Sequence, residues 1–437
     1  MKRIGLIARS PLAWLLIAAL ALRLGAGVWW QSRLPPGAKF DFGDSESYWA
    51  LAGAIARGDP YEFGAPPARA FRMPGYPLLL AGLFRVYGGE PPIAAARALN
   101  AVLGTCAVYG VYALGSRLFD RRTGLAAATV AAIYPGAIGT SVFVLSEAAF
   151  CPLMLAELVF ATIAWQSTGG AERHAQSSHT EPLPERGDRR DMRAILAALA
   201  SGLCAGAATL VRPSWLLFTP LVVVVSLLAG RNAGQHLRLG AAMIVGLVAV
   251  MAPWWLRNAR VIGHFVPTTL EVGASLYDGL NPRATGGSDM SFRAEFVARE
   301  EQEPAGNESL EYRLDRRLRD AALDWAAAHP GAALRLAAVK FARLWNVWPN
   351  EPEFRSLPLR LIVFVSYVPV VVLGLVGAIR FTPRAWPVAL CWLPALYVTA
   401  LHMVFVSSIR YREPAMLPAA VLAAATVLHT RKETADS

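Results

Sequence analysis

The chain has 437 residues, of which 55% are hydrophobic and 17% are charged, and its mean hydropathy is +0.39. This composition is typical of an integral membrane protein and excludes an ordinary soluble domain. The formal net charge of +11 does not indicate nucleic-acid binding, because the basic residues are dispersed between apolar segments; they suit anionic lipid headgroups and phosphates.

The N-terminal stretch MKRIGLIARSPLAWLLIAALALRLGAGVWW predicts the first membrane helix. Basic residues before an apolar run also fit a cleaved signal peptide, and residues 19–21 have the small-residue pattern of a cleavage site. The apolar stretch nevertheless continues to Trp29 and Trp30, so it is long enough to span and ends in interfacial aromatic residues. We therefore expect an uncleaved helix whose N-terminus is inside, with the side chain of Arg23 extending outward to the interface.

Nine further apolar segments predict the rest of an all-α polytopic membrane protein with about ten transmembrane helices. These segments lie near residues 95–116, 123–143, 148–166, 194–211, 214–229, 239–258, 359–380, 385–406 and 413–429. The stretch PGYPLLLAGLFRVYG at 74–88 is too short to join them, because it reaches only about two-thirds of a hydrocarbon core of roughly 30 Å. We expect it to be an interfacial helix.

The distribution of basic residues sets the predicted orientation. With 74–88 lying flat, both termini and the basic loop 172–193 fall on the inner side, as the positive-inside rule requires. Two large loops, about 31–94 and about 259–357, then face outward. The chain accordingly divides into three parts, which are an N-terminal catalytic membrane module with the first loop (1–258), the second loop (259–357), and C-terminal helices with a short tail (358–437).

Surface helices are predicted in both outer loops. In residues 45–57, apolar side chains recur at the spacing of one helix face, and Asp44 is placed to cap the N-terminus of that helix. A polar amphipathic helix is predicted around 308–328 in the second loop.

Carboxylates and arginines recur at the predicted outer ends of the spans and in the outer loops. They are Asp41, Asp44 and Glu46, then Arg72 in FRMPGYP, Glu147 in VLSEAAF, Arg212 in LVRPSW, Arg257 in PWWLRN, and Arg410 and Arg412 in IRYREP. A carboxylate can accept a proton from a hydroxyl, and a guanidinium can hold a phosphate. Nucleotide-binding and hydrolase motifs are missing from the sequence. The pattern therefore suggests transfer from a donor linked to a lipid phosphate.

The order of these segments resembles the C-type membrane glycosyltransferases. The resemblance rests on five features, which are DFGDSESY after the first span, FRMPGYP, the acidic Glu147, the long segment PWWLRNARVIGHFVPTTLEVGASLYDGLNPRATGG, and RYREPAMLPA. More narrowly, they resemble the bacterial relatives of protein O-mannosyltransferases and of the lipid A aminoarabinose transferase, over about residues 10–425. The resemblance implies inverting transfer of a sugar from a polyprenyl-phosphate donor, at the periplasmic face of a bacterial inner membrane.

The resemblance also implies roles for individual residues. Asp44 matches the catalytic carboxylate, the base for the acceptor hydroxyl, and Glu147 matches the second acidic position. Arg72 stands where the lipid A transferases carry a lysine, which puts a lipid A acceptor in doubt.

Beside the catalytic pair, the sequence predicts phosphate contacts and secondary contacts. We expect Arg72, Arg257, Arg410 and Arg412 to bind the donor phosphate. The secondary candidates are Asp41, Glu46, Tyr48, Tyr76 and Arg212.

Several alternatives remain open on sequence alone. Asp44 could serve only as a helix cap. Asp41 and Asp44 could bind a divalent cation, but two carboxylates are a thin ligand set, so we predict no required metal or cofactor. The expected partners are the lipid-linked donor, an envelope glycan, lipid or protein acceptor, and membrane lipids, with no nucleic acid. A transporter or flippase of lipid-linked sugars and a polysaccharide polymerase or ligase would use similar features.

Overall fold

A computed structural model describes residues 10–40, 42–177, 184–230, 232–303, 308–348 and 356–435, so Asp41 lies outside the described residues. The helices are α1 (Pro11–Gln31), α2 (Gly43–Arg57), α3 (Gly75–Tyr87), α4 (Ile93–Leu118), α5 (Arg121–Ile133), α6 (Pro135–Val142), α7 (Glu147–Ser177), α8 (Pro184–Val211), α9 (Phe218–Ala229), α10 (Ala233–Ile262), α11 (Val272–Gly279), α12 (Arg293–Gln302), α13 (Leu310–Ala328), α14 (Pro330–Leu344), α15 (Leu357–Phe381), α16 (Leu393–Val404) and α17 (Ile409–Ala435). The described part of the chain contains no β-strand, which confirms the predicted all-α class.

Six helices in the described ranges are long and apolar enough to cross a membrane, which supports a multi-pass membrane protein. They are Pro11–Gln31, Ile93–Leu118, Glu147–Ser167, Arg189–Val211, Ala233–Ile262 and Arg360–Arg384, and α5 with α6 makes a seventh if the pair is one broken span. The predicted total of ten is not confirmed. Two of the predicted segments correspond to the shorter apolar helices Pro213–Ala229 and Leu393–Val404.

The break between α5 and α6 explains the place of Arg23. Pro135 has no amide hydrogen to donate and disfavours a helical residue before it, so α5 ends at Ile133 and the two helices meet at 57°. The guanidinium of Arg23 donates to the carbonyl oxygens of Ala131 and Ala132, at 3.2 and 3.1 Å, and the residue is 1% exposed. The predicted outward orientation of Arg23 is therefore wrong, because the helix end supplies buried acceptors.

The centre of the bundle is built on close helix contacts. Helix α7 packs against α4 and α8, and α8 packs against α10. A Cβ atom added to Gly202 would lie 1.9 Å from the carbonyl oxygen of Met243, so α8 and α10 approach each other at backbone distance. Small residues permit such contact between membrane helices and hold α8 firmly beside its neighbours.

The segment between α1 and α4, which we call the first loop region (32–92), carries α2 and α3. Helix α3 has 13 residues and is too short to cross a hydrocarbon core of roughly 30 Å, as the sequence predicts. Its buried side chains Tyr76 and Phe84 meet the rings of Tyr48 and Trp49 on α2, at centroid distances of 5.3 and 4.9 Å. The two helices therefore pack as one unit.

The segment between α10 and α15, the second loop region (263–356), is joined to the first by hydrogen bonds. The amide of Leu270 donates to the carbonyl oxygen of Ala70 at 2.9 Å. The carboxylate of Glu311 accepts from the amides of Arg69 and Ala70, at 2.7 and 3.0 Å. Burial raises the pKa of Glu311 above its usual value, although these two amides oppose that shift. The residues just before Arg72 are thus held by the second loop region.

Candidate active site

Asp44 is the residue around which the site is arranged. Helix α2 begins at Gly43 and its N-cap is Phe42, so Asp44 lies in the first turn and does not cap the helix. Its carboxylate instead accepts from Arg72 Nη2 at 2.7 Å and from Arg410 Nη1 at 3.3 Å, while its side chain stays 37% exposed. The helix-cap alternative is therefore wrong, and the carboxylate is both ion-paired and accessible.

Arg72 uses every nitrogen of its guanidinium on protein acceptors. Nη2 contacts Asp44, Nη1 donates to Glu271 Oε2 at 2.7 Å, and Nε donates to Ser47 Oγ at 3.2 Å. Burial acts to lower the pKa of Arg72, but the charges of Glu271 and Asp44 outweigh it and raise the pKa above its ordinary value. Arg72 is thus a fixed cation that sets the direction of Asp44.

Glu271 joins the site from the second loop region, directly before α11, and the sequence reasoning did not select it. Burial raises the pKa of its carboxyl, and the charge of Arg72 acts in the opposite direction. Glu271 lies in PTTLEVGAS, which is part of a segment on which the family resemblance rests, so the resemblance could have drawn attention to it. The second loop region therefore contributes a charged group directly to the arrangement around Asp44.

Glu147 is the first residue of α7 and is 1% exposed. Its carboxylate accepts from Nε of Arg410 and, at 3.3 Å, from Nη2 of the same side chain, and Nη1 of Arg212 lies 3.0 Å from Oε1. Arg410 therefore contacts both Asp44 and Glu147. A single guanidinium connects the two acidic residues that the sequence singled out.

These contacts define a charge cluster with three carboxylates and three arginines. Its members are Asp44, Glu147, Glu271, Arg72, Arg212 and Arg410. The ionised forms balance, which is how buried charges are kept at acceptable cost. All six lie at the end of the bundle that carries the two loop regions.

Of the three arginines in the charge cluster, Arg212 has the fewest contacts with acceptor groups. Its Nη1 lies 3.0 Å from Glu147 Oε1 but is buried and makes no hydrogen bond, and its Nε and Nη2 make none to any residue that the structure describes. Its guanidinium carbon lies 5.6 and 5.7 Å from the rings of Phe150 and Tyr411. A small cavity of about 10 Å³, with room for about one water molecule, adjoins it and is lined also by Trp215 and His402. Arg212 thus has donors available beside aromatic side chains.

Arg257 and Arg412 are not brought into the cluster. Arg257 donates to the carbonyl oxygens of Arg69 and Tyr61, at 2.6 and 3.2 Å, and so holds the first loop region. Arg412 is fully buried and its guanidinium lies over the ring of Tyr367 at 3.7 Å. On α17, Arg410 and Arg412 are two residues apart and cannot share one helix face.

Arg412 has its own acceptors at the end of α14. Its Nη1 donates to the carbonyl oxygens of Leu344 and Asn346, at 2.8 and 2.6 Å. These bonds tie the start of α17 to the second loop region.

The secondary candidates divide between the floor of the site and the surface. The ring of Tyr48 lies 5.4 Å from the guanidinium carbon of Arg72, and the hydroxyl of Tyr76 shares a 3.1 Å hydrogen bond with Asn100. Glu46 is exposed on α2. In the part of the chain that the structure describes, no three His, Cys, Asp or Glu side chains are grouped to hold a metal ion.

The sequence model of the family described as dolichyl-phosphate-mannose-protein mannosyltransferase matches residues 69–171, a stretch that includes Arg72 and Glu147. No curated protein matches the sequence.

Solved structures with a similar fold include the Archaeoglobus fulgidus oligosaccharyltransferase AglB in complex with an inhibitory peptide and a dolichol-phosphate. It is 14% identical, with a TM-score of 0.58, over 97% of this chain and 52% of that one. The apo form gives 14% identity and a TM-score of 0.56 over 98% and 52%. ArnT from Cupriavidus metallidurans bound to undecaprenyl phosphate gives 15% identity and a TM-score of 0.43 over 98% and 80%.

The chain spans about half the length of the oligosaccharyltransferase whose fold it shares. The family match over 69–171 and this shared fold together confirm the predicted resemblance to C-type membrane glycosyltransferases.

Proposed function

We propose that this protein transfers a sugar from a polyprenyl-phosphate donor to a hydroxyl group of an envelope acceptor, with inversion, at the periplasmic face of a bacterial inner membrane. The observation that carries the proposal is the contact of Arg410 with both Asp44 and Glu147. It places an accessible carboxylate beside several guanidinium groups. The carboxylate can accept the proton of the acceptor hydroxyl, and the guanidinium groups can stabilise the negative charge of the departing phosphate.

The proposed base is Asp44. The acceptor oxygen attacks the anomeric carbon as its proton passes to the Asp44 carboxylate, and the bond from that carbon to the phosphate oxygen breaks. The electron pair of that bond leaves with the polyprenyl phosphate. A phosphate is already a good leaving group when cations surround it, so one carboxylate suffices, unlike the paired carboxylates of glycoside hydrolases. A single displacement inverts the anomeric centre.

The phosphate is assigned to Arg212. Arg410 beside it contributes its charge, because its three nitrogens already contact Asp44 and Glu147. Arg212 has unused donors and lies beside the aromatic rings of Phe150 and Tyr411. Arg72 was expected to contact phosphate, but its nitrogens already serve Asp44, Glu271 and Ser47. We therefore assign Arg72 to the orientation of the base and not to the donor.

The decisive experiment uses purified full-length protein in liposomes with a radiolabelled polyprenyl-phosphate sugar, with and without cell-envelope acceptors. Acceptor-dependent transfer of one sugar supports the proposal, and an Asp44→Asn protein serves as the control. Movement of intact donor across the bilayer without bond cleavage would identify a transporter or flippase. Transfer of a preassembled glycan, with no use of a single-sugar donor, would identify a polymerase or ligase.

A further inference from the structure

Glu157 is a buried carboxyl in the middle of the α7 span, and the chemistry proposed above does not use it. It is 0% exposed. Its Oε2 accepts from the indole Nε1 of Trp215 at 2.6 Å, and its Oε1 accepts from the hydroxyl of Thr219 at 3.0 Å. It forms no ion pair with any basic side chain in the described ranges. An ionisable group at membrane depth is costly, so its retention calls for a role.

Both partners of Glu157 belong to the short segment that follows Arg212. Pro213 starts a 3-10 turn, Pro213–Trp215, and forces an extended backbone on Arg212 before it. The indole of Trp215 stacks on Phe218 with ring centroids 3.9 Å apart. The direction in which Arg212 leaves this turn therefore depends on where Trp215 is held.

Helix α7 thus contacts this segment at two levels. Glu147 at its start forms the ion pair with Arg212, and Glu157, about 15 Å further along the helix axis, binds Trp215 and Thr219. A lone ion pair leaves a long arginine side chain several orientations, whereas a turn anchored at both ends leaves few. The contacts of Glu157 with Trp215 and Thr219 therefore limit where the guanidinium of Arg212 can lie.

We propose that Glu157 is a positioning residue that holds Arg212 toward the donor phosphate through Trp215 and Thr219. This inference rests on the function proposed above. A carboxyl suits the task because one small group offers two acceptor oxygens. A glutamine can replace it, since its oxygen can accept from Trp215 while its amide donates to the hydroxyl of Thr219. A leucine fills the space but makes neither bond.

The test compares Glu157→Leu, Glu157→Gln and the control Thr162→Val in the full-length protein. Thr162 is buried on the same helix, but among the described residues its hydroxyl bonds only to the carbonyl oxygen of Leu158. Affinity for undecaprenyl phosphate in detergent is measured by calorimetry. We expect about a tenfold loss for Glu157→Leu, with Glu157→Gln and Thr162→Val within about threefold of the unaltered protein. Equal affinities for Glu157→Leu and Thr162→Val overturn the inference.

A double-variant cycle separates positioning from a general loss of packing. If Glu157 acts through Arg212, adding Glu157→Leu to Arg212→Ala causes no further loss of undecaprenyl phosphate affinity. Additive losses contradict the inference. Should Glu157→Leu fail to fold, Trp215→Phe takes its place in the cycle, because it removes the indole N–H and keeps an aromatic ring.

A readout without ligand distinguishes failure of this inference from failure of the proposed function. Hydrogen exchange of the peptide 212–219 should rise in Glu157→Leu and stay at the unaltered level in Glu157→Gln. If the unaltered protein does not bind undecaprenyl phosphate, the proposed function fails while the exchange result still reports on the anchored turn. If exchange in this peptide is the same in all variants, Glu157 does not position Arg212.

Discussion

Arg410 and Asp44 are 366 residues apart in the sequence, yet Nη1 of the arginine lies 3.3 Å from Oδ2 of the aspartate. The contact joins the start of the last helix to the first helix of the first loop region. Because Arg410 also holds Glu147, it positions the proposed base relative to the membrane helices. The predictions below test the parts of this arrangement separately.

Asp44→Asn should lower transfer at least a hundredfold while expression and thermal stability stay near normal. The asparagine keeps the size of the side chain but cannot accept the proton, and a general base contributes typically 10²–10⁴-fold, about 3–5 kcal/mol of barrier. Initial rates with radiolabelled donor measure the effect. The matched control is Glu46→Gln, because Glu46 is an exposed acid in the same first turn. Asp41→Asn should also lower the transfer rate far less than Asp44→Asn. Near-normal turnover in Asp44→Asn would falsify the role of the base.

Arg72→Lys should lower kcat by roughly ten- to a hundredfold with little change in the KM for the donor. A lysine carries the charge but cannot reach Asp44, Glu271 and Ser47 from one fixed plane, so the base loses its orientation. Steady-state kinetics at varied donor concentration separate the two constants. A rise in KM at constant kcat would instead return Arg72 to the phosphate site.

Arg410→Gln should destabilise the protein, because it leaves the buried Glu147 with only Arg212 as a cation. Removing one partner of a buried pair costs about 3–5 kcal/mol, and the remaining arginine should hold the loss near the lower figure. Adding Glu147→Gln should recover part of the thermal stability but not all of it, because Arg212 then loses its ion-pair partner, and it should not recover transfer. Thermal unfolding in detergent gives the stability. A double variant as unstable as Arg410→Gln alone would show that the charge of Glu147 is not the cause.

The predicted orientation is tested by labelling in intact cells, in a protein without its native cysteines. A cysteine placed at Ser178 should be shielded from membrane-impermeant thiol reagents, and one placed at Ser309 should be labelled. The reason is the positive-inside rule applied to the basic residues between 172 and 193. Labelling at position 178 would put the cytoplasmic side where we place the periplasm, and the charge cluster with it.

The sequence predicted the identity of the acids better than their geometry. Asp44 and Glu147 could be selected because their segments occur in an order that a known family shares. Glu271 was not selected, since an acid in a long loop without periodicity gives no sign of its partner. Arg410 and Arg412 could not be told apart, because the last span was predicted from 413 and the true helix starts at Ile409, which fixes the opposite directions of the two side chains.

The sequence predicts those features of the fold that depend on the length of an apolar segment. It does not predict those that depend on contacts between segments far apart in the chain. Helix α3 was predicted to be too short to span, because the number of residues in its apolar stretch can be counted in the sequence. The acceptors of Arg23 arise from a helix break more than a hundred residues away, so a local scan assigns that side chain to the interface instead.

The hydrogen bonds between the two loop regions also limit how this protein can be re-engineered. Arg72 follows a backbone segment whose amides are held by Glu311 and whose neighbour Ala70 is bound by Leu270. Replacing residues 263–356 with the corresponding part of a protein of similar fold would remove both anchors and Glu271 together. A functional chimera will therefore need residues 59–74 from the same parent, so these two stretches form one unit of exchange although about 190 residues separate them.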